Sequence, residues 1–341
     1  MTKTRILIVL LFINTLSAIA LAAPDSKNFV PVDAVTFSPD GKIFASGHRH
    51  GVINLWDAQT ARLKKTLKGQ SGSVTSLAFS PNGKLLANGS PATLNLWDTR
   101  TGKLLRRLRI QFAYPTYEFY SVAFSPDSKT LATGSGGNDG KPFEVRLWDA
   151  SSGKLLRIFG RHKGQIPSVA FSPTGKLLAS ASYDGTIKLW SVQTGRLITT
   201  WRSGAGRFAV AFSPDGQTLA NSDNSNQVEL RDIRTGKLLF TLSGHKAPVR
   251  SVAFTPDAKT LIGGSNDGTI RMWDTQMGQL KRTLAVKGKA PETKQEIFAT
   301  QFEPRDDVMS VAVSPDGSML GSGNYDGTVK LQRIEPQQAV E

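Results

Sequence analysis

"VRSVAFTPDAKTLIGGSNDGTIRMWDTQMGQLKRTL", residues 249–284, reads as four short strands joined by tight turns. In VRSVAF apolar and polar positions alternate as on a half-buried strand, and the Pro of the following TPD suits a turn position with φ of about −65°. KTLIGGS forms a second strand and runs into Asn266-Asp267-Gly268, whose Asp-Gly pair suits the positive φ of a hairpin turn. TIRMWD gives a third strand, and TQMGQLKRTL supplies a turn glycine and a fourth. Regular short strands separated by turn signals indicate all-β structure.

The same unit recurs along the chain. FSPDG or a close variant begins at Phe37, Phe79, Phe124, Phe171, Phe212, Phe254 and Val313. A second phrase, LWD in its fullest form, follows at Leu55, Leu96, Leu147, Leu189, Leu230, Met272 and Leu331. The frequent Gly and Pro recur in phase with these phrases, so they mark turns rather than disorder. Seven units of four strands are the arithmetic of a propeller, in which ring closure leaves few exposed sheet edges. The expected fold class is all-β: a seven-bladed β-propeller with four antiparallel strands per blade.

Residues 168–198, SVAFSPTGKLLASASYDGTIKLWSVQTGRLI, resemble the consensus of the WD-repeat family, and the resemblance extends over about 28–334. The chain resembles the exported bacterial type of that family. The resemblance implies a structural tetrad of His, Ser, Asp and Trp in each unit. Unit four carries all of it as His162, Ser180, Asp184 and Trp190; unit six has His245, Asp267 and Trp273 but Gly263 in place of Ser. Elsewhere the set decays, with Pro91 and Ser225 at Asp positions and Arg231 and Gln332 at Trp positions, so those blades are expected to rely on packing. In the family, N-terminal residues usually complete the last blade as its outer strand.

The first 22 residues read as a secretory signal: Lys3 and Arg5, then an apolar run from Ile6, then Ala20-Leu21-Ala22 as the small-x-small cleavage pattern. Asn14, Thr15 and Ser17 interrupt the run, which makes a poor spanning helix. The expectation is export to the periplasm or beyond, with residues 1–22 removed, no transmembrane segment left, and 23–341 forming a single propeller. Only the short segment from Ala23 to about Pro31 would then remain for the closing strand, with the tail EPQQAVE (335–341) as the alternative. The chain has no Cys, so neither disulfides nor a lipid-anchor cysteine contribute.

Catalytic signatures are scarce. GSGGNDGK (134–141) lacks the Ser or Thr of a phosphate loop and leads into a strand, and no nucleophile elbow follows a strand and opens a helix. His48 and His50 are expected on an exposed loop without a third ligand nearby, so no metal and no cofactor is expected. His162 and His245 belong to the tetrad, and most Asp residues belong to turns.

The net charge is +15, and its carriers follow the repeat. Arg62, Lys64, Lys65, Lys103, Arg106, Arg107, Arg109, Lys154, Arg157, Arg196, Lys237, Lys281 and Arg282 are expected on fourth strands, which the resemblance places on the outside of the ring. Lys on edge strands protects them from pairing. An anionic envelope surface is a candidate partner for this belt, and export argues against nucleic acid.

Three insertions break the rhythm, at 109–118, 135–144 and 285–307, and the resemblance places all three on one face, the top. The five tyrosines agree: Tyr114, Tyr117 and Tyr120 lie in or beside the first insertion, and Tyr183 and Tyr325 precede the tight-turn Asp of units four and seven. The slot of Tyr120 holds Asp33, Thr75, Pro167, Phe208, Arg250 and Met309 in other units, so the fold does not dictate it. Tyrosine suits interfaces because it joins apolar area to a polar tip. The expected function is a non-enzymatic scaffold of the cell envelope binding a protein or peptide on the top face. The alternatives are an enzyme or small-ligand receptor at the channel mouth, and a polyanion binder using the basic belt.

Overall fold

The repeated FSPDG phrase encodes one compact turn. In its first copy Ser38 Oγ donates to Asp40 Oδ1 (2.6 Å), the Ile43 N–H donates back to Ser38 Oγ (2.9 Å), and Gly41 takes φ +70°, a conformation that disfavours a side chain. The Asp of LWD makes a second: the Asp57 carboxylate accepts the N–H groups of Gln59 (3.1 Å) and Thr60 (2.8 Å). These local closures set the strand lengths between them.

The computed structural model describes residues 19–21, 30–68, 72–91, 93–109, 118–136, 143–202, 206–286 and 306–334. Within them the chain forms seven four-stranded antiparallel sheets arranged as blades. The described residues contain no helix, and so none long and apolar enough to cross a membrane. The first strands of the blades are Val32–Phe37, Ser76–Phe79, Glu118–Phe124, Ser168–Phe171, Arg207–Phe212, Val249–Phe254 and Val308–Val313, and together they line the central channel.

The core lies between blades. Ala45, Ile53 and Leu55 of blade one pack against Leu77, Phe79, Leu86 and Trp97 of blade two, and the pattern repeats around the ring. It closes where Val329 and Leu331 of blade seven meet Val32, Phe44 and Trp56 of blade one. Each sheet is therefore apolar on both faces, and a blade alone would leave both in water.

Serines stitch neighbouring first strands together. Ser76 Oγ accepts the Val122 N–H (3.1 Å), Ser168 Oγ that of Val210 (3.1 Å), Ser251 Oγ that of Val311 (3.1 Å), and Ser310 Oγ that of Val35 (3.2 Å) across the closing seam. Ser121 donates to the Ile166 carbonyl (3.3 Å). Ala34 and Ala209 stand at the equivalent positions of blades one and five, where no such hydroxyl is available.

Blade seven takes its outer strand from the N-terminal region. β1 (Ile19–Leu21) pairs antiparallel with β28 (Val329–Arg333), matching Ile19 to Leu331, Ala20 to Lys330 and Leu21 to Val329. This strand is neither Ala23–Pro31 nor the tail; it lies inside the segment expected as a leader, just before the expected cleavage point. The rest of residues 1–22, most of the 109–118 and 135–144 insertions and nearly all of 285–307 lie outside the described residues.

The outer strands carry Lys64, Lys65, Arg106, Arg107, Arg157, Lys281 and Arg282, while Arg62, Lys103, Arg109, Lys154, Arg196 and Lys237 flank them by one residue. Leucine and isoleucine accompany these cations: Leu105, Leu156 and Ile198 are each about half exposed. The belt is thus amphipathic rather than purely basic.

Candidate binding interface at the channel mouth

A β-bulge builds the site. In five first strands the ladder skips one residue, the bulged residue being Asp33, Tyr120, Phe208, Arg250 or Met309. A bulge leaves the extra residue unpaired and re-aims its side chain. Thr75 and Pro167 hold the same position in the other two blades, and all seven residues line one cavity of about 220 Å3 at the centre of the ring.

The tight turn between second and third strands lies over this position. Its residue before the Asp slot donates its N–H to the carbonyl of the residue just ahead of the first strand or its bulge: Arg49 to Pro31 (2.9 Å), Tyr183 to Gln165 (2.9 Å), Asn224 to Gly206 (3.0 Å), Asn266 to Pro248 (3.0 Å) and Tyr325 to Asp307 (2.8 Å). Both loop types therefore share one face, the top, and among the described residues blades one, five, six and seven each present a bulge residue beside a turn residue.

These pairs differ in chemistry. In blade one, Arg49 donates through Nε and Nη2 to the two oxygens of Asp33 (3.1 and 2.8 Å), and its guanidinium also lies over the Tyr325 ring (5.3 Å). In blade six, Arg250 Nε donates to the neutral Asn266 Oδ1 (3.2 Å) while its guanidinium lies 4.6 Å over Phe208. Phe208 in turn meets the Tyr183 ring edge to face at 5.3 Å. Burial pushes the Tyr183 hydroxyl pKa up, against the opposing pull of the adjacent Arg250.

The tyrosines thus separate. Tyr183 is 39% exposed and contributes to the mouth; Tyr325 is 7% exposed and lies beneath Arg49. Tyr120 lines the cavity, its ring against Gly136, where a Cβ would overlap it. Tyr114 and Tyr117 lie outside the described residues. The sequence reading did not single out Phe208, Arg250, Met309 or the Asp33–Arg49 pair. Their signal was present in the freedom of the Tyr120 slot from repeat to repeat.

Beneath the mouth the polar networks hold the turns. In blade four, His162 Nδ1 reaches Asp184 Oδ2 (3.2 Å), His162 Nε2 reaches Ser180 Oγ (2.8 Å), and Trp190 Nε1 donates to Ser180 Oγ (2.9 Å). Burial lowers the His162 pKa more than Asp184 raises it, so the ring favours its neutral form. Burial opposes ionisation of Asp184, yet hydrogen bonds from His162, Thr186 and the Lys163 N–H outweigh it and hold the carboxyl well below its usual range. In blade six, His245 Nδ1 meets Asp267 Oδ2 at 2.9 Å, while Trp273 Nε1 donates to the Ser243 carbonyl (3.3 Å).

Two expectations need correction. The decayed blades do not rely on packing alone, because other acceptors replace the missing ones. Trp56 keeps the tetrad serine, donating to Ser46 (2.9 Å), whereas Trp97 donates to Asn88 Oδ1 (2.8 Å) and Trp148 to Thr133 (2.9 Å) at the same position. In blade five Arg231, at the Trp position, is held by Glu229 (3.1 Å) and lies near Trp201. The second correction concerns His48, which is not on an exposed loop: it ends the strand Ile43–His48, is 1% exposed, and sits between Ser46 Oγ (3.2 Å) and Asn54 Nδ2 (3.3 Å). Burial, reinforced by the nearby His50, lowers its pKa to about 4. Among the described residues no group of three His, Asp or Glu is placed to hold a metal.

The family described as WD domain, G-beta repeat, matches residues 25–57, 61–98, 112–149, 153–191, 236–274 and 297–331. The stretch passed over, 192–235, contains most of blade five, where Arg231 and Ser225 replace the consensus Trp and Asp. The chain is 32% identical over 168 residues to the WD repeat-containing protein SL1-17 of Schistosoma mansoni, covering 49% of this chain and 52% of that protein. It is 31% identical over 160 residues to Autophagy-related protein 16 of Arabidopsis thaliana (47% and 30%), and 28% identical over 169 residues to the Serine-threonine kinase receptor-associated protein of Gallus gallus (50% and 45%). The match spans about half the length of the first of these relatives and less of the others, and all three are eukaryotic.

Proposed function

The chain belongs to the WD40 family, that of the WD domain, G-beta repeat, and on that premise we propose that it is a non-enzymatic scaffold of the cell envelope holding a protein or peptide partner over its channel mouth. WD40 propellers are scaffolds of protein interaction. The observation that carries the location is one ring of residues around a single opening: bulges present Asp33, Tyr120, Phe208, Arg250 and Met309, and Thr75 and Pro167 stand at the same position in the other two blades. The frame that fixes these side chains is buried and hydrogen-bonded, so little ordering cost remains to be met on binding.

Two features weigh against the enzyme alternative. The cavity has Asp33 and Arg250 as its charged lining residues, and Asp33 is already bound by Arg49. Among the described residues that leaves no acid–base pair facing the channel. The envelope location is supported by the leader-like composition of residues 1–22 alone.

The test is crosslinking and pull-down from the protein's own envelope, beside a Tyr114/Tyr117/Tyr120→Ala variant. The expected result is loss of partner from the variant while thermal unfolding is unchanged. Recovery of the same partners at equal yield would remove the aromatic loop and the Tyr120 rim from the site.

A further inference from the structure

Blade one shows what an arginine at this mouth accepts: Arg49 grips both oxygens of Asp33. Blade six offers the same bulge-and-turn arrangement with the arginine on the bulge, but its turn residue is Asn266 and no carboxylate answers Arg250 among the described residues. The tight-turn acids of blades four and six are committed. Asp184 receives His162, Thr186 and the Lys163 N–H; Asp267 receives His245, Thr269 and the Lys246 N–H.

From this asymmetry, and resting on the top-face reading above, we infer that Arg250 is the seat for a carboxylate of the bound peptide, which takes the place that Asp33 holds in blade one. The guanidinium is positioned for it: Nε is fixed by Asn266, one face lies on Phe208, Tyr183 flanks it, and the group lines the mouth cavity. A planar guanidinium held this way loses little freedom on pairing with a planar, singly charged carboxylate. A phosphate dianion is usually met by a cluster of arginines, whereas among the described residues Arg250 is the single guanidinium lining this cavity. The exposed Lys163 and Lys246, on the same face, add a field of the same sign. The carboxylate comes from an Asp or Glu side chain or from a peptide C-terminus.

Random dodecapeptides displayed with free N-termini and, separately, with free C-termini are selected on the purified full chain. Enriched peptides are synthesised with Asp→Asn, Glu→Gln or C-terminal amide changes and titrated by fluorescence polarisation against wild type, Arg250→Gln, Asn266→Asp and Tyr120→Ala. Enriched peptides are expected to share one carboxylate, whose removal weakens binding at least about tenfold. The same loss is expected for Arg250→Gln, and for Asn266→Asp, which supplies Arg250 with an internal carboxylate and leaves the thermal midpoint unchanged or raised. The free-C-terminus library and the amide series tell the two sources apart. Binders that weaken with Tyr120→Ala but change less than twofold with Arg250→Gln and Asn266→Asp overturn the carboxylate seat and leave the top-face reading standing. Binders indifferent to all three substitutions, or no binder from either library, overturn both.

Discussion

The indole of Trp273 occupies the space beside Gly263: a Cβ on that glycine would stand 2.8 Å from its Cζ3. Blade six therefore cannot hold the serine that blade four uses without moving its tryptophan, and Trp273 turns to the Ser243 carbonyl instead. His245 bears the consequence, for its Nε2 faces the Gly263 backbone without a well-formed hydrogen bond.

Substitution at Gly263 should separate these effects. Gly263→Ala adds the crowding with no new hydrogen bond and is expected to cost about 1–3 kcal/mol. Gly263→Ser adds the same Cβ but offers a hydroxyl to His245 and Trp273, so it should recover about 1 kcal/mol relative to alanine. Urea denaturation of the two variants reads the difference, and equal stability would show that the tetrad geometry of blade four is not recoverable here.

His48 sets an acid limit. Its ring is buried and its pKa falls to about 4, from an ordinary 6.5. A base whose folded pKa is depressed stabilises the fold above the unfolded value and loses that contribution as pH falls. Stability should decline from about pH 6.5 and level off near pH 4, by on the order of 3 kcal/mol from this residue. His162 and His245, lowered in the same direction, add to the slope. A His48→Gln variant should be less stable at pH 7 and show a shallower pH dependence of its urea midpoint; an unchanged slope would place the acid sensitivity elsewhere.

The serine seams can be opened singly. Ser310→Ala removes the hydroxyl that receives the Val35 N–H where the ring closes and should cost about 1 kcal/mol. Replacing Ser168, which receives Val210 inside the ring, should cost a similar amount. Denaturant midpoints read both losses, and hydrogen exchange at Val35 and at Val210 should rise only in the matching variant.

Removal of the N-terminal segment bears on the last blade. A chain beginning at Ala23 lacks Ile19–Leu21 and leaves the edge of Val329–Arg333 unpaired. Its thermal midpoint should fall, and amides of residues 329–331 should exchange faster than in a chain beginning at Met1. Equal protection in both would mean that another segment closes the blade in the shorter chain.

How much of this was legible in the sequence depends on the range of the forces involved. The FSPDG and LWD turns were readable because a Ser or Asp bonds backbone two to five residues away, as Ser38 and Asp57 do. His162, Ser180, Asp184 and Trp190 were readable because one unit preserves the whole set. The replacements at Asn88, Thr133 and Glu229 were not, since any acceptor of suitable reach serves and no fixed phrase announces it. His48 looked like a loop residue because its neighbours Arg49 and His50 are polar; its burial comes from residues across the sheet.

The sequence by itself determined the repeat: four strands and their turns, seven times over, because strand alternation and turn chemistry are local properties of short segments. Tertiary structure alone decided which side chains meet. Arg250 lies on Phe208, Arg49 reaches Asp33 and Tyr325, and Ser310 holds Val35 only after the ring has brought distant blades side by side. The bulge that turns Arg250 toward the mouth is a property of strand pairing, which one strand's sequence does not contain.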